Sequence, residues 1–162
     1  MKINKSTRHS KIAGDFGESL VLYWLSKYEF ECAKIDHTGI DLIAANPRTK
    51  ERLGISVKCR TRLAGKESDC VTLKSAHLKK IRDASETFGC QPYLAIVVEA
   101  GKSIWVMVTP ISRALHYCPA TSAGSSWKMS PLFLSKYAKD KEVMMFELEI
   151  RHGRWWIPTA TK

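Results

Sequence analysis

The spacing of hydrophobic positions changes several times along the chain, and each change marks an element. From Asp15 to Tyr28 the apolar residues step as on a helix. Phe16, Leu20 and Trp24 are spaced by four, and Val21, Leu22, Leu25 and Tyr28 widen the face. The pattern predicts an α-helix opening at Asp15, a residue suited to a helix start. Glu18 falls beside the apolar stripe, whereas most helical glutamates point to water. The run Phe30–Asp36 reads as a strand. Two further apolar runs follow, Gly39–Ala45 and Leu53–Arg60, joined by a polar turn containing Pro47. Side chains alternate along a strand, so Ser56, Lys58 and Arg60 share one face of the second run. In an antiparallel hairpin of symmetric register Ala45 pairs with Gly54, Asp41 opposes Lys58 and Ile43 opposes Ser56, and opposed residues share a face.

Downstream, residues 63–74 read as a polar loop with a short strand around Val71–Leu73. Helical spacing returns from Ser75 to Phe88, and Gly89 suits the helix end. Two strong strands come next, Pro92–Val98 and Ser103–Thr109, split by a turn at Glu99–Lys102. Pro110 opens a short helix to Tyr117. Residues 118–142 read as a long loop with helical pieces, Val143–Ile150 as a late strand, and Arg154–Ile157 as a short apolar tail.

The length of 162 residues fits one domain with a real core. Within it, 1–13 reads as a basic flexible arm, 14–100 as the core, and 101–162 as additional strands, loop and tail. No apolar run approaches the roughly 20 residues that span a bilayer, and the basic N-terminus lacks the apolar stretch of a secretory signal. No membrane partner and a cytoplasmic location are the expectations. Cys32, Cys59, Cys70, Cys90 and Cys118 are odd in number and widely separated, with no CxxC pair. Buried free thiols fit better than a zinc site.

Charge changes the picture. There are 26 Lys and Arg residues against 16 Asp and Glu, a net charge of +10. Residues 1–80 carry 16 of the basic and 9 of the acidic residues. Such a field favours polyanions, most often nucleic acid, although a plain soluble surface explains the charge equally well.

The candidate chemistry lies in an order: a helix glutamate, a strand aspartate, fourteen residues, then Ser56-Val57-Lys58, then a helix and a strand. Asp41, set between Ile40 and Leu42, is unusual because Asp is depleted in strands. This order resembles the PD-(D/E)XK nuclease superfamily, which includes restriction-endonuclease-like and Holliday-junction-resolvase-like proteins. The resemblance covers residues 11–100. Gly14-Asp15-Phe16-Gly17-Glu18 is similar to the helix glutamate motif of resolvase-like branches, Gly39-Ile40-Asp41-Leu42 to the aspartate motif, and Ser56-Val57-Lys58 stands at the (D/E)xK position. The resemblance implies an α/β fold with a restriction-endonuclease-like αβββαβ core, a central mixed sheet flanked by helices.

It also implies a chemistry. Carboxylates hold Mg²⁺, or Mn²⁺, which lowers the pKa of a water and clamps the phosphate. A lysine adds positive charge where negative charge develops. By resemblance Asp41 is the principal metal ligand, Glu18 an outer or second ligand, and Lys58 the catalytic cation. The substrate is nucleic acid, DNA rather than RNA, and a homodimer is one expectation because resolvase-like relatives often pair. Ser56 departs from the pattern. A neutral hydroxyl leaves the site one negative charge short, and Asp36 or Glu99 are the candidates to replace the missing acid. The preferred reading is a Mg²⁺-dependent DNA nuclease centred on Asp41, Glu18 and Lys58; the alternative is a catalytically inactive nucleic-acid-binding module of the same fold. A protein-interaction domain is a third.

Arg60 and Arg62 follow Lys58 and, with Arg8, Lys11 and Lys74, form a candidate phosphate track. The five histidines show no ligand spacing, and only His37, just before the aspartate strand, merits watching. Trp105, Trp127, Trp155 and Trp156 fit core packing better than base stacking. There is no P-loop, dinucleotide fingerprint, serine elbow or cysteine-protease signature.

Overall fold

The order of elements is α1 (His9–Lys27), β1 (Glu31–Lys34), β2 (Leu42–Ala45), β3 (Arg52–Thr61), β4 (Val71–Lys74), α2 (Ser75–Thr87), β5 (Gln91–Ala100), β6 (Ser103–Pro110), α3 (Ile111–Tyr117), β7 (Gly124–Trp127), α4 (Pro131–Ala138) and β8 (Met144–Glu149). These come from a computed structural model that describes residues 5–151. The apolar tail at Arg154–Ile157 lies outside the described residues.

Six strands form one mixed sheet in the order β1-β2-β3-β5-β6-β8. Only β3 and β5 run parallel. Parallel neighbours need a long crossover, and here β4 and α2 supply it. Burial alternates along β5: Leu94, Ile96 and Val98 belong to the cluster that includes Leu78 and Ile81 of α2, while Ala95 and Val97 belong to the cluster with Val21 and Leu25 of α1. A strand buried on both faces reads as a continuous apolar run, which is why Leu94–Val98 stands out in the sequence. This is a mixed α/β sheet flanked by helices, as expected. No helix among the described residues is long and apolar enough to cross a membrane.

Five local readings need correction. Helix α1 begins at His9, inside the segment expected to be a flexible arm, and its N-cap Arg8 makes no side-chain capping bond. The start is held from outside instead: Lys5 Nζ donates to the Thr61 carbonyl (2.8 Å), and His9 Nε2 lies 2.8 Å from Thr61 Oγ1. The buried face of α1 is Gly17, Val21 and Leu25; Val21 and Leu25 belong to the expected apolar face, whereas Phe16 is left exposed. Residues 124–127, expected as loop, form β7, which pairs with β4 in a separate two-stranded sheet. Trp127 of that strand is fully buried and stacks on Tyr137. Of the five free cysteines expected to be buried, Cys118 is buried, Cys32, Cys59 and Cys90 are half-buried, and Cys70 is exposed.

The fifth correction is the hairpin register. Ala45 pairs with Arg52 and Ile43 with Gly54, two residues away from the symmetric alignment. The turn is tighter than its composition suggests. Asn46 N–H donates to the Glu51 carbonyl (2.8 Å), the Asn46 side chain accepts from Arg48 N–H (2.9 Å), and Lys50 adopts a left-handed φ of 61°. A shift of two keeps every side chain on its face, so Asp41 still shares a face with Ser56 and Lys58, but its neighbour across the pair is Ser56.

Two glycines of α1 test this packing. A Cβ on Gly17 would lie 2.7 Å from the Cβ of Cys59, whereas a Cβ on Gly14 meets nothing within 4 Å. Gly17→Ala is expected to destabilise the fold by roughly 1–3 kcal/mol through overpacking. Gly14→Ala is expected to stabilise it by up to about 1 kcal/mol through helix propensity. Urea unfolding of the two variants reads both signs.

Candidate active site

Strand β2 begins at Leu42, and the residue before it closes the strand pair with its side chain. The Asp41 backbone N–H donates to the Ile55 carbonyl (2.8 Å), and its carbonyl accepts from Ile35 N–H (3.0 Å). The Asp41 carboxylate then takes the next backbone group of β3: Val57 N–H donates to Oδ2 at 2.6 Å. A short charge-assisted bond of this kind fixes the carboxylate in place.

Ser56 lies at the centre of the site and is 1% exposed. Its hydroxyl donates to Asp41 Oδ2 (3.2 Å), Lys58 Nζ donates to it (3.1 Å), and His77 Nε2 lies 3.2 Å away. A hydroxyl offers one proton and two lone pairs. Lys58 occupies one lone pair and Asp41 takes the proton. His77 must therefore present Nε2–H to the other lone pair, which sets its tautomer. All three valences of the hydroxyl are used. Lys58 Nζ also donates to the Val57 carbonyl (3.0 Å).

The charged groups are tuned by burial. Burial pushes the Lys58 ammonium below the ordinary lysine range, and this outweighs the Asp41 carboxylate, which raises it; Arg60 lowers it and Glu18 raises it. The His77 imidazole is also pushed down, first by burial and then by Lys58, against the opposing pull of Asp41. Its neutral form is favoured.

Glu18 reaches the site from α1, but its carboxylate is ion-paired to Lys34 of β1 (2.9 Å). That hydrogen bond is the main reason Lys34 sits above its ordinary pKa, with Glu18, Asp15 and Asp41 adding attraction. The structure thus brings Asp41, Ser56 and Lys58 into contact and leaves Glu18 paired beside them. Neither Asp36 nor Glu99 hydrogen-bonds into this network among the described residues, and His37 packs edge-on against Phe88 instead. Arg8, Lys11, Arg60 and Lys74 are exposed. Arg62 is engaged internally: its Nη2 donates to the carbonyls of Asp69 (3.0 Å) and Cys70 (2.8 Å), fastening the loop that leads to β4.

Two residues of the site escaped sequence reasoning. His77 lies in the first turn of α2, which reaches Ser56 only because the crossover sets α2 over β3. Lys34 pairs with Leu42 across the β1–β2 ladder, a signal the strand order would have supplied.

The donor set does not fit a divalent cation as folded. Mg²⁺ asks for oxygen ligands, with one or two carboxylates besides waters and phosphate. Asp41 has Oδ2 saturated, Glu18 is paired to Lys34, and the third position is a neutral hydroxyl whose valences are filled. Among the described residues no group of three His, Cys, Asp or Glu side chains could hold a metal ion.

No family model and no curated protein matches the sequence. Solved structures do. Hjc, a Holliday junction resolvase from the archaeal hyperthermophile Archaeoglobus fulgidus, superposes with a TM-score of 0.54 at 18% identity, covering 71% of this chain and 88% of that one. A restriction endonuclease in complex with substrate DNA superposes with a TM-score of 0.41 at 18% identity, covering 89% of this chain and 72% of that one. The chain shares its fold, a mixed α/β sheet flanked by helices, with the Holliday junction resolvase.

The His77 environment gives a prediction with a definite sign. Between the ordinary histidine value of 6.5 and the lower folded value, the unfolded chain binds a proton that the native chain does not. Stability therefore falls as pH drops through that window. His77→Gln is expected to remove this component. The difference between wild-type and His77→Gln stability should be flat above pH 7 and should change below 6.5. A difference that stays flat throughout would mean that burial and Lys58 do not depress the His77 imidazole.

Proposed function

We propose that the chain binds the phosphate backbone of DNA across the face that carries Lys58, on a nuclease scaffold that does not hydrolyse it. The observation that carries this reading is the saturated Ser56 hydroxyl. It stands where the superfamily pattern places a carboxylate, and its bonds join Asp41 to Lys58 and His77 instead of presenting a second acid to a metal.

Binding needs little more than the geometry supplies. The Lys58 ammonium is half-buried and held by two oxygens, so it meets a phosphate oxygen with little side-chain entropy left to lose. Exposed Arg8, Lys11, Arg60 and Lys74 supply the sequence-independent attraction that dominates DNA affinity. The net charge of +10 gives the long-range field.

A second reading is a metal-dependent endonuclease that holds Mg²⁺ or Mn²⁺ on Asp41 and Glu18, with Lys58 as the catalytic cation. What favours it is the retained Asp41–Lys58 juxtaposition, one hydroxyl apart, with the ammonium's pKa depressed. It requires Glu18 to leave Lys34. A half-exposed ion pair of this kind is worth only about 0–1 kcal/mol, so the neutral Ser56 is the larger obstacle.

One set of assays separates the readings. Duplex, single-stranded and branched DNA are titrated with the protein in EDTA, and the same substrates are then incubated with Mg²⁺ or Mn²⁺. Binding in EDTA is expected to weaken with salt, with a log–log slope of about −0.9 per phosphate contacted on duplex DNA. Lys58→Ala should weaken binding several-fold, and no product should form. Cleavage by wild type that disappears in Asp41→Ala would establish the nuclease instead. Absence of salt-sensitive binding would remove the nucleic-acid reading.

A further inference from the structure

A lysine outside the superfamily pattern stands beside the candidate carboxylates. Lys34 ends β1, the edge strand beside β2, and the next residue, Ile35, hydrogen-bonds the Asp41 backbone at 3.0 Å. Its side chain crosses to α1 and pairs with Glu18 at 2.9 Å. Asp15 and Asp41 also lie within its electrostatic reach. Lys58, from the other side, feels Asp41, Arg60 and Glu18. The neighbourhood thus holds three carboxylates, Asp15, Glu18 and Asp41, and four cations, Lys34, Lys58, Arg60 and Lys80, with His77 favoured neutral.

A site that concentrates a divalent cation needs an excess of negative charge. This one has none. Restoring an acid at position 56 alone would leave Lys34 in place, competing for Glu18 and repelling the incoming ion. We infer that Lys34, together with Ser56, closes this site to divalent cations. Lys34 acts in two ways: its ammonium occupies the Glu18 carboxylate, and its charge opposes a second cation beside Asp41. The inference deepens the metal-free reading above and rests on it.

The side chain of Lys34 is half-exposed, so its replacement leaves the core intact. The test uses the full chain, stripped of metal and free of DNA. Mn²⁺ is titrated and the free ion is read by electron paramagnetic resonance. Wild type, Lys34→Met, Lys34→Gln, Lys34→Arg, Ser56→Glu and the Lys34→Met/Ser56→Glu double variant are compared, with circular dichroism and melting as fold controls. Lys34→Met and Lys34→Gln are expected to bind Mn²⁺ on the order of tenfold more tightly than wild type, the scale set by removing one charge a few ångströms from a divalent ion in a partly solvated site. Lys34→Arg should match wild type. The double variant should bind more tightly than Ser56→Glu alone.

Equal Mn²⁺ affinity in wild type and both neutral Lys34 variants overturns the inference. So does a tight wild-type Mn²⁺ site that Asp41→Asn abolishes. DNA binding by wild type in EDTA is measured in parallel. Its absence would defeat the binding reading and leave the Lys34 result to stand or fall on its own data.

Discussion

A single carboxylate oxygen, Oδ2 of Asp41, both ends a strand pair and organises the site. The β2–β3 ladder stops at Leu42, and Val57 N–H would face an empty edge without it. Asp41 supplies the acceptor at 2.6 Å. Leaving a buried backbone N–H without a partner costs about 1–3 kcal/mol, so the carboxylate is held in a fixed direction by the fold itself. Everything nearby is positioned from that point. Ser56 is adjacent to Val57 and donates to the same oxygen, Lys58 folds back onto Ser56, and His77 closes the set from α2.

That arrangement is a closed chain of hydrogen bonds. A carboxylate at position 56 would point at Asp41 and add a second negative charge beside it, a pairing that a cation stabilises. A hydroxyl needs no such cation. It bridges an anion, an ammonium and a neutral imidazole with every valence filled, and it is almost fully buried. Lys34 completes the balance on the α1 side by pairing with Glu18. On the proposed reading, a site without excess negative charge in a strongly basic chain suits direct contact with phosphate.

Most of the framework is legible in the sequence because its signals are local. The helical spacing from Ser75, the apolar run Leu94–Val98 and the glycines around them place α2 and β5 within a residue or two of where they lie. The order Glu18, Asp41, Lys58 identifies the fold, and the structure brings Asp41, Ser56 and Lys58 into one network. The misread features depend on contacts that the local pattern does not carry. Strand β7 is Gly-Ser-Ser-Trp and has one apolar residue, and it exists because β4 pairs with it. The start of α1 depends on Thr61, more than fifty residues away. The hairpin register depends on one Asn46 turn. His77 and Lys34 enter the site through packing and strand order, so no spacing within their own segments announces them.

The central claim is that the Asp41 site is complete without a divalent cation. Crystals of the protein grown or soaked with Mn²⁺, with anomalous diffraction recorded, test it most directly. The account predicts no anomalous peak beside Asp41, with the Ser56 hydroxyl still bonded to Lys58 and His77 and Glu18 still paired to Lys34. A strong peak bridging Asp41 and Glu18, with Lys34 displaced, would contradict it.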